Sequence, residues 1–197
     1  MAQVIDGETL RDLDWYGEEF ADRAYQKCVF FDVDLTEAVS QGARFEECTF
    51  GNVRFNASRH TDSAFLRCVF TRCVFFEAEF TGCKMVGSRF VECELRPLRA
   101  TGGDWSFVGL AGADLRGVSL AGLRMREVDL AGANCEGATL TGLDLTGAEL
   151  RGAKLDRSDL RDSDLSTLDP LVVTRAGARI NADQAVSIAM NLGFAVG

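Results

Sequence analysis

A chain of 197 residues with 47% hydrophobic content is long enough to bury one substantial core and too apolar for a disordered chain. A net charge of −9 and an isoelectric point near 4.7 argue against direct binding to nucleic acid or to an anionic membrane, whose phosphates would repel it. The odd count of seven cysteines, the absence of a long apolar run and a start, MAQVIDGETLRDLDW, without signal-peptide character together predict a cytoplasmic protein with reduced thiols.

Residues 1–19 read as an irregular first coil. From residue 20 onward a large apolar residue falls on every fifth position, beginning Phe20, Tyr25, Phe30, Leu35 and continuing to Leu165. Of the 30 multiples of five between 20 and 165 only Ser40 and His60 are polar, a regularity that neither a 3.6-residue helix nor a two-residue strand period produces. Two residues before each large residue stands Ala, Cys, Ser, Val or Gly, at 25 of 28 sites between 28 and 163. Small, polar, large makes a three-residue strand with its first and third side chains inward, and the other two residues must turn. Right-angled corners close a coil every four pentapeptides, so residues 20 apart stack at about the 4.8 Å strand spacing. The result is an all-β solenoid with a filled interior.

Up to residue 95 the large position is mostly Phe and the second turn position mostly polar, as in Asp32, Glu37, Glu47 and Arg67. After residue 101 Leu takes over, with Gly at the turn in 112, 117, 122, 132, 137, 142, 147 and 152. This predicts type II corners in the C-terminal half and other turns in the N-terminal half. At the join, ELRPLRATGG, Pro97 removes a backbone donor, and Leu98 and Ala100 invert the small-then-large order. A local kink near 97 is expected, within one repeat domain spanning residues 1–168.

Residues 169–197 are read as a capping and dimerisation segment. NADQAVSIAMNLG predicts a helix with Asn181 as N-cap, Gln184 completing a capping box and Gly193 at the stop. It carries more apolar residues than a lid requires, so Val186, Ala189, Met190, Leu192 and Phe194 are assigned to a twofold homodimer interface.

The pentapeptides ADLRG, ANCEG, AELRG and AKLDR resemble the A(D/N)LXX signature of the pentapeptide-repeat family, over residues 20–167. The resemblance implies a right-handed quadrilateral β-helix of pentapeptide repeats, here with a short C-terminal helical cap. Two segments, CELRPLRATGGDWSFVGLAGADLRG and TRAGARINADQAVSIAMNLGFAVG, are similar to its mycobacterial fluoroquinolone-resistance members. That narrower resemblance implies a dimer that binds and inhibits DNA gyrase, at the basic surface that otherwise holds DNA, by resembling B-form DNA. The projecting loops of plasmid-borne relatives have no room in this register.

No catalytic constellation, cofactor site or metal site emerges. His60 and Ser40 share one inward column, which predicts a polar irregularity or surface bulge more readily than a reactive pair. Six of the seven cysteines occupy the small inward position, where they read as compact apolar residues; Cys28, Cys48 and Cys68 form one column, Cys73 and Cys93 another. The functional case rests on carboxylates of the C-terminal half: Asp104, Asp114, Asp129, Asp144, Glu149, Asp159 and Asp164 at outward central positions, with Asp156 and Asp162 on turns. The alternative is a scaffold or adaptor whose acids only keep a long β surface soluble.

Overall fold

The computed structural model describes residues 4–197. The chain winds into a solenoid of parallel rungs, each in register with the rung 20 residues away: Ile5 pairs with Tyr25, Tyr25 with Phe45 and Phe45 with Phe65. The rod has four faces. The first carries strands Val4–Asp6, Ala24–Gln26, Arg44–Glu46 and Ala64–Leu66, and continues as single bridges through Lys84, Asp104, Arg124 and Asp144. The second runs from Thr9–Arg11 to Arg89–Val91 and then through Gly109, Asp129 and Glu149. Single bridges alone build the third, including Asp14 to Asp34 to Arg54 and Asp114 to Asn134 to Lys154. The fourth runs from Glu19–Ala21 to Thr139–Thr141 and on to Asp159 and Arg179.

The N-terminal interior is a set of stacked aromatic columns. Phe30, Phe50, Phe70 and Phe90 lie face to face with centroids 4.7, 4.8 and 4.8 Å apart. That separation is the rung spacing itself, so backbone pairing sets the stack, and each aromatic pair adds about 0.5–1.5 kcal/mol beyond its buried area. Leu10 lies in register over Phe30 at the N-terminal end of this column, and Trp15 packs beside it, 5.1 Å from Phe20 and 6.1 Å from Phe30.

At the join the register is unbroken, because Arg99–Thr101 pairs both with Glu79–Thr81 and with Ser119–Ala121. The inverted order at Leu98 and Ala100 has a packing cause. Trp105 sits edge-on to Phe80 at 5.9 Å and stacks at 6.3 Å on Phe90, and Ala100, directly over Phe80, leaves room for the indole. Gly103 is equally constrained, since a Cβ there would fall 2.1 Å from the Cys83 carbonyl oxygen.

The corners correct one expectation. Positive φ at the second turn position runs through both halves, with Asp32 at 55°, Glu77 at 57° and Gly132 at 66°. Of the 17 non-glycine residues with positive φ among the described residues, 13 lie before residue 96, and polar ladders join several of them from coil to coil. Asn52 donates to Asp32 at 3.1 Å and accepts from Arg72 at 3.0 Å, and Arg67 donates to Glu47 at 3.0 Å. What differs between the halves is closure. Corners after the second face gain an i to i+3 hydrogen bond only in the leucine half, as in Ala113 N–H to Leu110 and Ala133 N–H to Leu130, both 3.0 Å.

The C-terminal helix, Ala182–Asn191, begins at Asn181 with both arms of the capping box formed. Gln184 is its one buried residue, and its amide donates to the carbonyls of Leu160 and Ser163, both at 2.7 Å. The end of a β stack leaves unpaired carbonyls, and this side chain supplies the donors that a further coil would have supplied. No helix among the described residues is long and apolar enough to cross a membrane.

Candidate functional site

The nine carboxylates proposed from sequence lie on all four faces and do not form one patch. Asp104, Asp144 and Asp164 are on the first face, Asp129 and Glu149 on the second, Asp114 on the third and Asp159 on the fourth, with Asp156 and Asp162 at corners. Most are engaged with neighbours. Asp104 meets Arg124 at 3.4 Å, Asp114 meets Arg116 at 2.7 Å and Arg96 at 3.2 Å, and Asp144 meets Arg126 at 2.6 Å. Asp159 meets Arg161 at 2.6 Å and Arg179 at 3.7 Å. Asp156 accepts from the Thr174 hydroxyl and the Ala176 N–H, Asp162 from the Asn181 amide, and Asp164 from Thr146.

The contacts of Asp104, Asp114, Asp144, Asp156, Asp159 and Asp164 favour the ionised carboxyl. The Arg116 guanidinium keeps Asp114 below the ordinary range and Arg126 does the same for Asp144, while Arg161 brings Asp159 down to about 2. Burial alone would raise Asp104, and hydrogen bonds from Ser106 outweigh it, so this group too is lowered.

Asp129 and Glu149 differ. They occupy successive rungs of the second face, and among the described residues neither forms an ion pair. Each spends one oxygen on a backbone N–H two residues on, Asp129 to Ala131 at 3.0 Å and Glu149 to Arg151 at 2.9 Å.

That last contact recurs and was not anticipated from sequence. Asp104 accepts from Ser106 N–H, Asp114 from Arg116, Asp144 from Thr146, Asp159 from Arg161 and Asp164 from Ser166, at 2.9–3.3 Å. The donor is each time the first corner residue, whose amide the coil ladder leaves free, so the side chain completes the turn as in an Asx-turn. Asn134 does the same for Glu136 at 3.2 Å. An amide in phase with the aspartates was the legible signal: where this position carries an acceptor, the side chain closes the corner whether or not it is charged.

The His60 column is buried without a bulge. Ser58 donates to the Phe55 carbonyl at 2.7 Å, which leaves its oxygen to accept from His60 Nε2 at 3.1 Å. Nδ1 then accepts from Ser40 at 2.7 Å, Ser40 accepts from Ser63 at 2.8 Å, and Ser63 accepts from Ala43 N–H at 3.2 Å. One direction of donation satisfies every member, with the imidazole neutral and stacked 4.8 Å from Phe80. The cysteines keep their columns, and each thiol of the small inward position points at backbone carbonyls, as Cys83 does at the His60 carbonyl, 3.2 Å away.

At the far end, the residues assigned to a dimer interface stand clear of the rod. Val186, Met190, Leu192 and Phe194 are exposed, Met190 at 60% and Phe194 at 66%, while Ala189 is half-buried. Ile188, on the other side of the helix, packs against the core.

Comparison with known proteins bears on the repeat. The sequence pattern described as pentapeptide repeats matches in eight copies at residues 61–90, 110–147 and 129–166. The chain belongs to the pentapeptide-repeat family. No curated protein matches it. Among solved pentapeptide-repeat structures it is similar to a trypsin-treated variant of QnrB1, described as a plasmid-mediated fluoroquinolone resistance protein. The TM-score is 0.65 and the identity 20%, over 100% of this chain and 99% of that one. HetL, a pentapeptide repeat protein involved in heterocyst differentiation regulation in Nostoc sp. strain PCC 7120, aligns with TM-score 0.35 and 15% identity, over 90% and 86% of the two chains. At 20% identity the likeness to QnrB1 is one of fold.

Proposed function

We propose that this pentapeptide-repeat protein is a non-enzymatic, cytoplasmic DNA mimic that binds and inhibits DNA gyrase and thereby protects against fluoroquinolones. The fold is one that a fluoroquinolone resistance protein also uses. The join and tail carry the finer resemblance, to the mycobacterial protein MfpA. The observation that carries the reading is the pair Asp129 and Glu149, carboxylates without cation partners on successive rungs of a regular face. A rod of about duplex thickness with unneutralised acids on one face presents to a basic cleft the shape and potential of DNA. Rungs about 4.8 Å apart do not match phosphates about 3.4 Å apart, so the imitation is of field and outline. In this reading the exposed Val186, Met190, Leu192 and Phe194, with Ala189, pair two chains and double the length of the mimic.

The corner hydrogen bonds favour a second reading, a pentapeptide-repeat scaffold or adaptor whose acidic surface only solubilises it, because they give each aspartate a structural reason to be there. Inhibition of purified gyrase supercoiling separates the two. The asparagine quadruple variant at Asp104, Asp114, Asp129 and Asp144 keeps an acceptor at each corner and removes the charge. Asp129→Asn with Glu149→Gln isolates the two acids of the second face. With each exposed charge contributing up to about 1 kcal/mol, the double variant binds gyrase about tenfold more weakly at low salt, and wild-type binding weakens as salt rises. A folded quadruple variant that binds like wild type at both salts removes these acids from recognition. No inhibition well above the enzyme concentration establishes the scaffold.

A further inference from the structure

Cys73 and Cys93 lie on successive coils, flanked by the in-register pairs Phe70 to Phe90 and Val74 to Glu94. Residues so placed are about 4.8 Å apart along the rod, inside the range of about 4.4–6.8 Å that a disulfide spans between Cα atoms. The two side chains share one orientation: Cys73 Sγ points at the Phe50 carbonyl at 3.3 Å and Cys93 Sγ at the Phe70 carbonyl at 3.4 Å, each 23 residues back. The sulfurs are therefore stacked.

Access differs between them. Cys73 is fully buried, whereas Cys93 is, among the described residues, the one cysteine short of full burial. It lines a surface groove of about 250 Å³ with Phe90, Glu92, Leu95, Ala111 and Asp114. The groove opens here because the next coil covers Cys93 only with the small, half-buried Ala113. Cys48 and Cys68 repeat the same stacking with both thiols fully buried.

We propose that Cys73 and Cys93 are an oxidant-sensitive dithiol: a small hydroperoxide entering the groove oxidises Cys93, and Cys73 then closes a disulfide that staples two successive coils. The Cys93 thiolate attacks one peroxide oxygen and the O–O bond breaks, releasing the alcohol, or water from hydrogen peroxide, and leaving a sulfenic acid. Cys73 attacks that sulfur, and its proton leaves with the displaced hydroxide as water. Two thiols and one hydroperoxide thus give one disulfide, one alcohol and one water, the thiols losing the two electrons that the peroxide gains. The division of roles follows from the contact between them. The neighbouring Cys73 thiol holds the pKa of Cys93 below its ordinary value, and burial raises that of Cys73, so the accessible sulfur is the nucleophile.

The test is peptide mapping of the folded protein after hydrogen peroxide at neutral pH, with remaining thiols alkylated in denaturant. Tryptic cleavage after Arg72, Lys84, Arg89 and Arg99, the Arg96–Pro97 bond being resistant, places Cys73 in residues 73–84 and Cys93 in residues 90–99. The expected product joins these peptides through Cys73 and Cys93, two hydrogens lighter than their sum, with Cys83, Cys48 and Cys68 alkylated. Cys73→Ala then diverts Cys93 to sulfinic acid, and Cys93→Ala leaves Cys73 reduced, circular dichroism serving as the folding control. An unmodified Cys93 in the wild-type protein, its passage to sulfinic acid without a linked peptide, or a Cys48–Cys68 link appearing as early would overturn the proposal. Because the wild-type map alone can give each of these results, a variant that fails to fold does not rescue it.

Discussion

At position 60 the interior column that holds Phe80 on the next coil holds an imidazole instead, with Ser40 on the other side. Burial drives its pKa down to about 3. In the unfolded chain a histidine binds its proton near pH 6.5, so between about 6.5 and 3 the unfolded state holds the proton and the folded state does not. Stability contributed at neutral pH is therefore lost as pH falls through that window. The hydrogen-bond chain gives the same sign, because a protonated Nδ1 would have to donate where it now accepts from Ser40. Denaturant midpoints at pH 7 and pH 4.5 should fall for wild type by more than for His60→Phe, whose ring continues the column. Carboxylates lower both proteins alike, so the difference isolates His60. Equal falls would mean that the imidazole is not buried neutral.

A coil is stable only through the coils above and below it, which makes the 20-residue register the element-scale quantity to test. Leu130 is buried between Leu110 and Leu150, in the column whose backbone pairs Gly109 with Asp129 and Asp129 with Glu149. Leu130→Asp places a carboxylate there with no donor, and should cost about 3–5 kcal/mol, read as a large drop in melting temperature. Unchanged stability would contradict the column assignment. The last coil is finished by a side chain. Gln184→Leu keeps the volume of the plug and strips the donors from the carbonyls of Leu160 and Ser163, for about 1–3 kcal/mol per unsatisfied group. Hydrogen exchange should show the loss first in residues 160–180, before the aromatic coils respond.

Across the whole molecule, polarity changes from one end to the other. In the first coil Ile5, Leu10, Leu13 and Trp15 pack against the aromatic columns, whereas past residue 170 exposed apolar side chains accumulate, from Leu171 and Val172 to Met190, Leu192, Phe194 and Val196. Ile188 turns inward and Met190 outward, so one helix lids its own rod and still offers an apolar surface. Met190→Glu combined with Leu192→Glu is expected to give monomers in sedimentation velocity, with the β-rich circular dichroism spectrum retained. A folded dimer from this variant would exclude the helix from the interface.

The sequence by itself determined the period, the stacking of residues 20 apart, the inward columns and the capped helix with Gln184 at its third position. Each follows from chemistry that repeats along the chain: a large apolar group must be inward in every pentapeptide or in none, and a capping box is local. Only the tertiary structure decided what one coil does to the next. The positive φ of Asp32, Glu47 and Arg67 was hidden because ladders to residues 20 away hold these side chains in a conformation that local preference assigns to glycine. The inversion at Leu98 and Ala100 was legible as an anomaly, and its cause, the indole of Trp105 over Phe80, lies on another face. Charge divided the same way. Composition showed an excess of acids over bases, but ion pairs engage Asp104, Asp114, Asp144 and Asp159 and leave Asp129 and Glu149, like Asp156, Asp162 and Asp164, without cations, since an ion pair depends on which side chains reach each other and not on how many there are.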